Sequence, residues 1–255
     1  MKQNLKRISL LILFMYFAGG LYLFVKQRSF LYFPTADKPT SYESFNFMNE
    51  GESIHVLKLN PGHENAILYF GGNAESMVQS ADYIAGQFPK FTVYLLDYRG
   101  YGASSGEATE KGLYSDALKL YDRVKKKHES ISIGGRSLGT GIATYVSAHR
   151  EVLKLALITP YDSIVNVAQG MYPVYPVALL LRDSYDSFSR VKEIGAEVLI
   201  VIAENDKVIL RERTQNLIDA FDKKQLEVIV IRNRGHIDIS SDKRYYKIMQ
   251  DFIGK

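Results

Sequence analysis

One short stretch of this chain, residues 131–145, constrains the fold more than any other. It reads ISIGGRSLGTGIATY, in which an apolar, β-branched run meets two glycines and a serine before an apolar pattern with helical spacing begins. A serine on so sharp a strand-to-helix turn projects its hydroxyl away from the backbone, and Gly135 and Gly139 let strand and helix approach closely. The helix behind Ser137 would also direct free N–H groups at a developing oxyanion. The stretch therefore predicts a nucleophilic serine at position 137.

The pattern G-x-S-x-G occurs a second time, at residues 102–106. Since glycine and serine are each about 7% of residues in proteins, roughly one chain in ten of this length carries the pattern by chance, and the context has to decide. The apolar run before Ser104 ends at Leu96, polar residues intervene, and residues 107–110 begin a separate helix. We therefore interpret Ser104 as a loop serine and retain Ser137.

Charge and cysteine content exclude several classes of protein. The chain has 255 residues, no cysteine and a formal net charge of +4, so a disulfide, a thiolate metal site and a cysteine nucleophile are excluded. Residues 1–30 contain five basic side chains and no acidic one: Lys2, Lys6, Arg7, Lys26 and Arg28. The rest of the chain is close to neutral, so its charge does not favour a nucleic-acid partner.

An uncharged apolar run extends from Ile8 to Val25. As a helix it would be about 27 Å long, close to the roughly 30 Å hydrocarbon core of a bilayer. We predict an uncleaved, single-pass membrane anchor over residues 1–30. Three basic residues precede the run and two follow it, which favours a cytoplasmic N-terminus with the remaining chain on the opposite side, the periplasm in a bacterium. The alternatives are a cleaved signal peptide with Ala18 and Gly20 as its small residues, or a helix buried in the core.

Residues 31–255 alternate apolar strands with amphipathic helices. This predicts one α/β domain with a mostly parallel central sheet, helices on both faces and an antiparallel opening. The predicted strands are 42–47, 53–59, 66–70, 91–96, 131–134, 153–158, 198–202 and 228–231. The predicted helices are 75–88, 110–128, the segment after Ser137, about 210–222 and 240–253.

The alternation breaks between Tyr161 and Arg190, where residues 171–181 read MYPVYPVALLL. This segment is longer than a simple connection and should lie above the carboxyl ends of the strands, where open α/β sheets bind ligands. We interpret residues of about 161–190 as a small cap that offers an apolar, tyrosine-lined surface to an acyl or other hydrophobic group. An insertion that only packs on the sheet is the alternative.

A serine hydroxyl needs a base to accept its proton. Of the five histidines, His236 lies on a loop beyond the last predicted strand, at the sheet edge where Ser137 emerges. We therefore predict that His236 is the base. The other four histidines are interpreted as surface residues: His55, His63, His128 and His149.

The base in turn needs an orienting acid. Asp206 follows strand 198–202 at the same sheet edge and lies one strand from His236 in the predicted sheet. Asp162 also reaches this edge, but from a strand farther away, while Glu204 and Asp238 are lesser candidates. We therefore predict Asp206 as the acid.

An acyl-transfer site also needs two N–H donors for the oxyanion. One should be the backbone N–H of Leu138, which follows the nucleophile. The other should be the backbone N–H of Asn73, on the loop after strand 66–70, where Gly71 and Gly72 permit a tight approach. The chain has no metal-ligand spacing, phosphate loop or dinucleotide fingerprint, so no cofactor or metal is predicted.

Six motifs together resemble the alpha/beta-hydrolase superfamily: FGGNAES (70–76), LLDYRGYGASSGEATEKGLYSDA (95–117), GGRSLGTG (134–141), TPYDS (159–163), AENDKVI (203–209) and RGHIDI (234–239). More narrowly, the chain resembles a membrane-anchored serine hydrolase branch that includes bacterial inner-membrane members and animal protein depalmitoylases. The likeness covers nearly all of residues 30–255. It implies the alpha/beta-hydrolase fold and places the family's nucleophile, acid and base on Ser137, Asp206 and His236.

Two positions depart from the resembled pattern. Gly71-Gly72 stands where many relatives have His-Gly, which keeps the amide donor of Asn73 but removes a side chain. His236-Ile237-Asp238 stands where relatives often have His-Asn-Asp. Neither change affects the predicted triad, and both bear on substrate choice.

We therefore expect a membrane-anchored serine hydrolase that cleaves carboxyl esters or thioesters of apolar acyl groups through an acyl-enzyme. A serine peptidase or amidase is the second hypothesis, because some related hydrolases are named for peptidase activity. Acyl transfer to an acceptor other than water would use the same residues. From another class, a catalytically silent hydrolase-fold module could bind a partner at the membrane. The sequence leaves the acyl length, the leaving group and the oligomeric state open.

Overall fold

The computed structural model of the protein describes residues 2–254. Its strands are β1 (Glu43–Asn49), β2 (Glu52–Leu59), β3 (Asn65–Phe70), β4 (Thr92–Leu96), β5 (Ser130–Arg136), β6 (Lys154–Ile158), β7 (Glu197–Ala203) and β8 (Leu226–Ile231). They form an eight-stranded sheet in the order β1-β2-β4-β3-β5-β6-β7-β8. β2 is antiparallel to both β1 and β4, and the other neighbours are parallel. The predicted mostly parallel sheet with an antiparallel opening is therefore confirmed.

Helices cover both faces of this sheet. They are α1 (Lys2–Leu31), α2 (Met77–Gln87), α3 (Glu110–Lys125), α4 (Leu138–His149), α5 (Ile164–Met171), α6 (Val177–Leu180), α7 (Arg211–Ala220) and α8 (Lys243–Ile253). α2 and α8 pack on one face, where Ile84 and Met249 are buried, and α3, α4 and α7 pack on the other, where Leu120, Ile142 and Leu217 are buried. This arrangement is what all-apolar parallel strands require, since both of their faces must be covered.

Some element ends differ from the predicted ones for local reasons. β5 extends to Arg136 because that residue still pairs with Ile158 of β6. α2 begins at Met77 rather than at residue 75, because the Glu75 carboxylate accepts a hydrogen bond from the Gly72 N–H at 2.9 Å and so closes a turn before the helix. α3 begins where the Thr109 hydroxyl accepts from the Gly112 N–H at 3.0 Å, which satisfies one of the free donors of its first turn.

The segment between β6 and β7 forms the cap. It contains α5, α6 and a 3-10 helix, Phe188–Glu193. The cap is fastened to the domain through buried Asp162, whose carboxylate accepts hydrogen bonds from Arg213, Asn216 and Asn166. Asp183 and the backbone N–H groups of residues 184 and 185 complete the attachment through contacts with Arg28 and Glu110.

The apolar helix α1 lies outside the core of the domain. None of its residues is buried, and its apolar window has a mean hydropathy of 2.2, enough by length and composition to cross a membrane. The cap partly covers one side of it, where Tyr16 stacks on Tyr175 with ring centroids 4.9 Å apart. A Cβ on Gly19 would lie 2.6 Å from the Tyr175 hydroxyl oxygen, so the small residues of α1 allow this close approach.

The prediction that His55 is a surface residue was wrong. His55 is buried in β2, and its Nδ1 lies 2.8 Å from Asp97 Oδ2. Ser104 contacts the same two residues: its Oγ donates to the Asp97 carbonyl and accepts from the His55 N–H, both at 2.8 Å. The hydroxyl of Ser104 thus fastens the loop after β4 to β2.

His128 gives the fold a pH dependence. Its Nδ1 lies 2.9 Å from the carbonyl oxygen of His63, and its Nε2 lies 2.9 Å from the Tyr94 hydroxyl, a pairing that suits the neutral ring. Burial lowers the pKa of His128 below its ordinary value of 6.5. The unfolded chain therefore binds the proton more readily, so the stability that the neutral ring contributes is present above pH 6.5 and is lost as the pH falls below it.

We expect the free energy of unfolding to decline as the pH falls below 6.5, and to decline less in His128→Asn. Denaturant titrations of the full chain in detergent at a series of pH values would measure both slopes. His149→Asn, which changes an exposed histidine, serves as the control and should keep the wild-type slope. An unchanged slope in His128→Asn would show that another group controls the acid sensitivity.

Candidate active site

Ser137 lies on a strained turn between β5 and α4. Its φ of 49° and ψ of −117° are unusual for a residue with a side chain. A Cβ on Gly135 would lie 2.7 Å from the Gly139 carbonyl oxygen, and a Cβ on Gly139 would overlap the Phe70 carbonyl oxygen. Both flanking positions therefore need glycine, and the close packing holds the serine hydroxyl away from the backbone.

The structure brings the predicted serine, histidine and aspartate together. Ser137 Oγ lies 2.8 Å from His236 Nε2, and His236 Nδ1 lies 2.8 Å from Asp206 Oδ2. The side chains of His236 and Asp206 are 12% and 6% exposed, so their contact is shielded from water. The other carboxylate oxygen of Asp206 accepts hydrogen bonds from the backbone N–H groups of Val208 and Ile209, at 2.9 and 2.8 Å, and these orient the acid.

The other candidate acids have different partners. Asp162 holds the cap, as described above. Glu204 accepts from the Asn233 N–H at 2.8 Å. Asp238 accepts from the Gly235 N–H at 2.7 Å and so shapes the loop that carries His236. Of the four carboxylates considered, Asp206 is the one in contact with the imidazole.

The two predicted oxyanion donors also converge on this site. Asn73 and Leu138 line the same cavity as Ser137, and within residues 2–254 neither backbone N–H donates a hydrogen bond to the protein. The Asn73 carbonyl accepts from the Phe33 N–H and the Tyr101 hydroxyl, which holds residue 73 in place. The Leu138 carbonyl accepts from Tyr161, whose buried hydroxyl stays neutral because burial raises its pKa well above the ordinary value. Two amides are therefore held in place and available to a ligand.

Within residues 2–254, no group of three or more histidine, cysteine or acidic side chains is arranged to hold a metal ion. The arrangement around Ser137 consists of a serine hydroxyl beside an oriented imidazole, with two free N–H groups nearby, and this combination supports acyl transfer.

Comparison with known proteins adds independent information. No family model matches the chain. The chain is 28% identical over 241 residues to an uncharacterized protein of Mycobacterium tuberculosis, covering 87% of this chain and 85% of that relative. It is 27% identical over 212 residues to alpha/beta hydrolase domain-containing protein 17B of Homo sapiens, covering 78% of this chain and 69% of that relative.

A solved structure, the esterase Pf2001 of Pyrococcus furiosus, has the same fold. It superposes with a TM-score of 0.68 at 15% identity and covers 88% of this chain and 98% of the esterase. The chain has the alpha/beta-hydrolase fold and is similar in sequence to proteins named as alpha/beta hydrolases. The predicted superfamily, fold class and enzyme class are thereby confirmed, and the protein is a hydrolase.

A cavity of about 220 Å³ lies directly over Ser137 in this hydrolase. Its lining comes from the elbow around Ser137, the loop after β3, the loop after β7, the cap and, unexpectedly, the second half of α1. No charged side chain is among the described residues that line it. The lining from α1 consists of Gly20, Leu23, Phe24, Gln27, Phe30 and Leu31. The sequence predicted the contribution of the cap but not that of the helix.

Sequence reasoning also missed a pair of charged residues behind the site. Arg136, which precedes the nucleophile, lies 3.5 Å from the Glu75 carboxylate and donates to the carbonyls of His236 and Ile237 at 3.4 and 3.2 Å. Because Glu75 also accepts from the Gly72 N–H, the pair joins the oxyanion loop to the histidine loop. The position of Arg136 next to Ser137 was the only available signal, since its partners are distant in sequence.

Proposed function

We propose that this hydrolase cleaves carboxyl esters or thioesters of apolar acyl groups, with Ser137 as nucleophile, His236 as base and Asp206 as orienting acid. The observation that carries the proposal is the continuous hydrogen-bonded chain from Ser137 Oγ through His236 to Asp206, with 2.8 Å at each contact. This is the arrangement that activates a serine hydroxyl near neutral pH.

In the first half of the reaction, Ser137 Oγ attacks the acyl carbonyl carbon and its proton passes to His236 Nε2. The backbone N–H groups of Leu138 and Asn73 donate to the oxyanion of the tetrahedral intermediate. Asp206 keeps the Nδ1 proton of His236 in place and stabilises the imidazolium. When the intermediate collapses, His236 returns the proton to the leaving alcohol or thiol, and the acyl group remains on Ser137.

In the second half, water attacks the acyl-enzyme. His236 accepts a proton from the water while the same two N–H groups hold the new oxyanion, and Ser137 leaves with that proton as the free hydroxyl. The products are a carboxylic acid and the regenerated enzyme. The reaction balances without a metal or a cofactor.

The lining of the cavity supports an apolar acyl group as substrate. The cap residues that line the cavity are apolar or aromatic, among them Ile164, Val167 and Tyr161. A charged or strongly polar acyl group would lose its hydration there without a partner of opposite charge. The name of the fold neighbour, an esterase, points in the same direction.

We also propose that α1 anchors the enzyme in a membrane as a single uncleaved span over residues 1–30, with residues 31–255 as the hydrolase domain. The exposed apolar side chains of α1 support this, as does the fit of Gly19 against Tyr175, which cleavage near Gly20 would remove. The distribution of basic residues favours a cytoplasmic N-terminus and a catalytic domain on the opposite side, the periplasm in a bacterium.

A fluorophosphonate probe tests the catalytic assignment, because it reacts only with an activated serine. We expect labelling of the detergent-extracted wild-type protein and no labelling of Ser137→Ala. Ser104→Ala is the matched control and should label like the wild type once its melting temperature shows that it is folded. Labelling that survives in Ser137→Ala would contradict the choice of nucleophile. Absence of labelling in folded wild type would contradict the proposed activity.

A further inference from the structure

The apolar segment of the cap, residues 171–181, and the apolar run of α1, residues 8–25, end at the same level along the axis of α1. The backbone N–H of Arg182, the first charged residue after the cap segment, donates to Gln27 Oε1 at 2.7 Å. Gln27 itself directly follows Lys26, the first charged residue after the apolar run of α1. The guanidinium of Arg182 lies 4.5 Å from the ring centroid of Phe24. Basic residues at such a common level are typical of a membrane–water boundary.

From this level the cap extends along α1 toward the middle of the apolar run. Its far end is at Tyr16, whose hydroxyl donates to the Val174 carbonyl at 2.9 Å. At about 1.5 Å per residue, Tyr16 and Gln27 are about 16 Å apart along the helix. That is about half of the roughly 30 Å hydrocarbon core, or one leaflet. If α1 spans the bilayer, the cap segment has to lie within the same leaflet.

The surface of this segment is suited to lipid. No charged residue stands between Asp162 and Arg182. Three apolar side chains of the segment are exposed, with exposed fractions of 54% for Met171, 68% for Val174 and 84% for Leu179. Such a group of outward apolar side chains, continuous with an apolar helix, marks a membrane-contacting surface rather than a solvated one.

The backbone of the segment is also suited to lipid, where every polar group must be satisfied internally. Each carbonyl from Tyr172 to Val177 accepts a hydrogen bond from within the protein. Gln169 Nε2 lies within hydrogen-bond distance of three of these oxygens, at 3.3, 3.5 and 3.1 Å from the carbonyls of residues 172, 173 and 175. Pro173 and Pro176 have no N–H to satisfy. These carbonyl oxygens therefore do not need water as a hydrogen-bond donor.

We propose that residues 171–181 of the cap are embedded beside α1 in one leaflet of the bilayer. The cavity between them opens within that leaflet, so the acyl chain of a membrane-resident substrate reaches Ser137 between Leu23 and Phe24 of α1 and the facing cap residues. The second part of this inference rests on the proposed function. The embedding of the cap does not.

Tryptophan fluorescence tests the embedding directly, because the chain contains no tryptophan. Single-tryptophan variants of the full chain would be reconstituted into phosphatidylcholine vesicles with and without bromine on the acyl chains, which quenches nearby tryptophan. We expect Leu179→Trp to lose fluorescence in the brominated vesicles to an extent comparable with Phe14→Trp on α1. Leu153→Trp, exposed at the opposite edge of the sheet, should be unchanged.

Quenching of Phe14→Trp without quenching of Leu179→Trp would overturn the embedding of the cap while leaving the anchor in place. Equal quenching at Leu179 and Leu153 would overturn it as well, because the cap would then be no closer to lipid than the far edge of the sheet. Neither result depends on catalytic activity, so this experiment is independent of the proposed function.

Acyl-chain selectivity tests the role of α1 in the cavity. Leu23→Trp fills space in the cavity, whereas Leu21→Trp adds the same side chain on the exposed side of the helix. We expect the ratio of kcat/KM for long-chain over acetyl esters to fall roughly 10-fold in Leu23→Trp and to stay at the wild-type value in Leu21→Trp. Equal ratios in both variants would overturn the acyl route. Loss of fluorophosphonate labelling in the wild type would instead count against the proposed hydrolase function.

Discussion

Asp206→Asn is expected to lower kcat by about 10⁴-fold, with little change in the melting temperature. The carbonyl oxygen of the introduced amide can still accept from the N–H groups of Val208 and Ile209, so the loop keeps its shape. The amide nitrogen donates to His236 Nδ1, where the carboxylate accepts. The imidazole then holds its proton on Nε2, facing Ser137, and can no longer accept the serine proton. Steady-state kinetics on an ester substrate would measure the loss.

Glu204→Gln is the matched control for this variant. Glu204 lies on the same loop, is exposed, and accepts from the Asn233 N–H. The substitution removes a carboxylate of similar position without touching the imidazole, so kcat should stay near the wild-type value. Comparable losses in both variants would show that the loop, rather than the Asp206–His236 contact, controls the rate.

Gly139→Ala is expected to destabilise the protein by about 3 kcal/mol, the upper end of the usual cost of overpacking. The added Cβ would overlap the Phe70 carbonyl oxygen and lie 2.7 Å from the Gly71 carbonyl oxygen. Both are backbone atoms of the oxyanion loop, so they cannot rotate away as a side chain would. Relief of the clash moves the loop away from Ser137, and fluorophosphonate labelling should be lost with the stability.

Gly86→Ala provides the comparison. Gly86 lies within α2, and its added Cβ would meet nothing within 4 Å. Alanine loses less backbone entropy than glycine when it enters a helix. The free energy of unfolding of this variant should therefore be about 0.5 kcal/mol higher than that of the wild type. Denaturant unfolding of both variants would measure the difference. A Gly139→Ala protein as stable and as reactive as the wild type would contradict the packing argument.

Much of the fold was predictable because it depends on local patterns. All-apolar β-branched runs mark strands buried on both faces, and helical spacing marks the elements between them. The parallel arrangement then follows from the alternation, and it brings the carboxyl ends of the strands to one edge. For this reason Ser137, His236 and Asp206, each beyond a strand of that sheet, could be proposed together from the sequence.

Other features depend on partners that are distant in the sequence. The sequence predicts a surface position for His55 because nothing near it in the chain indicates a partner, yet the antiparallel pairing of β2 with β4 places Asp97 beside it. The contact of Arg136 with Glu75 likewise requires β5 to lie next to β3. Side-chain periodicity carries no information about which strands become neighbours across the sheet.

The contribution of α1 to the cavity shows the same limit most clearly. A helix that is apolar on all sides has no periodic pattern to indicate a docking side, so the sequence predicted a span and nothing more. The structure decides which side meets the cap, through Gly19 and Gly20 against Tyr175 and through Gln27 against Arg182.

The sequence by itself thus determined the fold class, the elbow around Ser137 and the candidate triad, because these depend on local geometry and on the order of elements along the chain. Only the tertiary structure decided the walls of the cavity, the partners of the buried charges and the common height of the cap and α1. Those depend on packing between segments far apart in the chain, where shape and contact, rather than residue pattern, determine which surfaces meet.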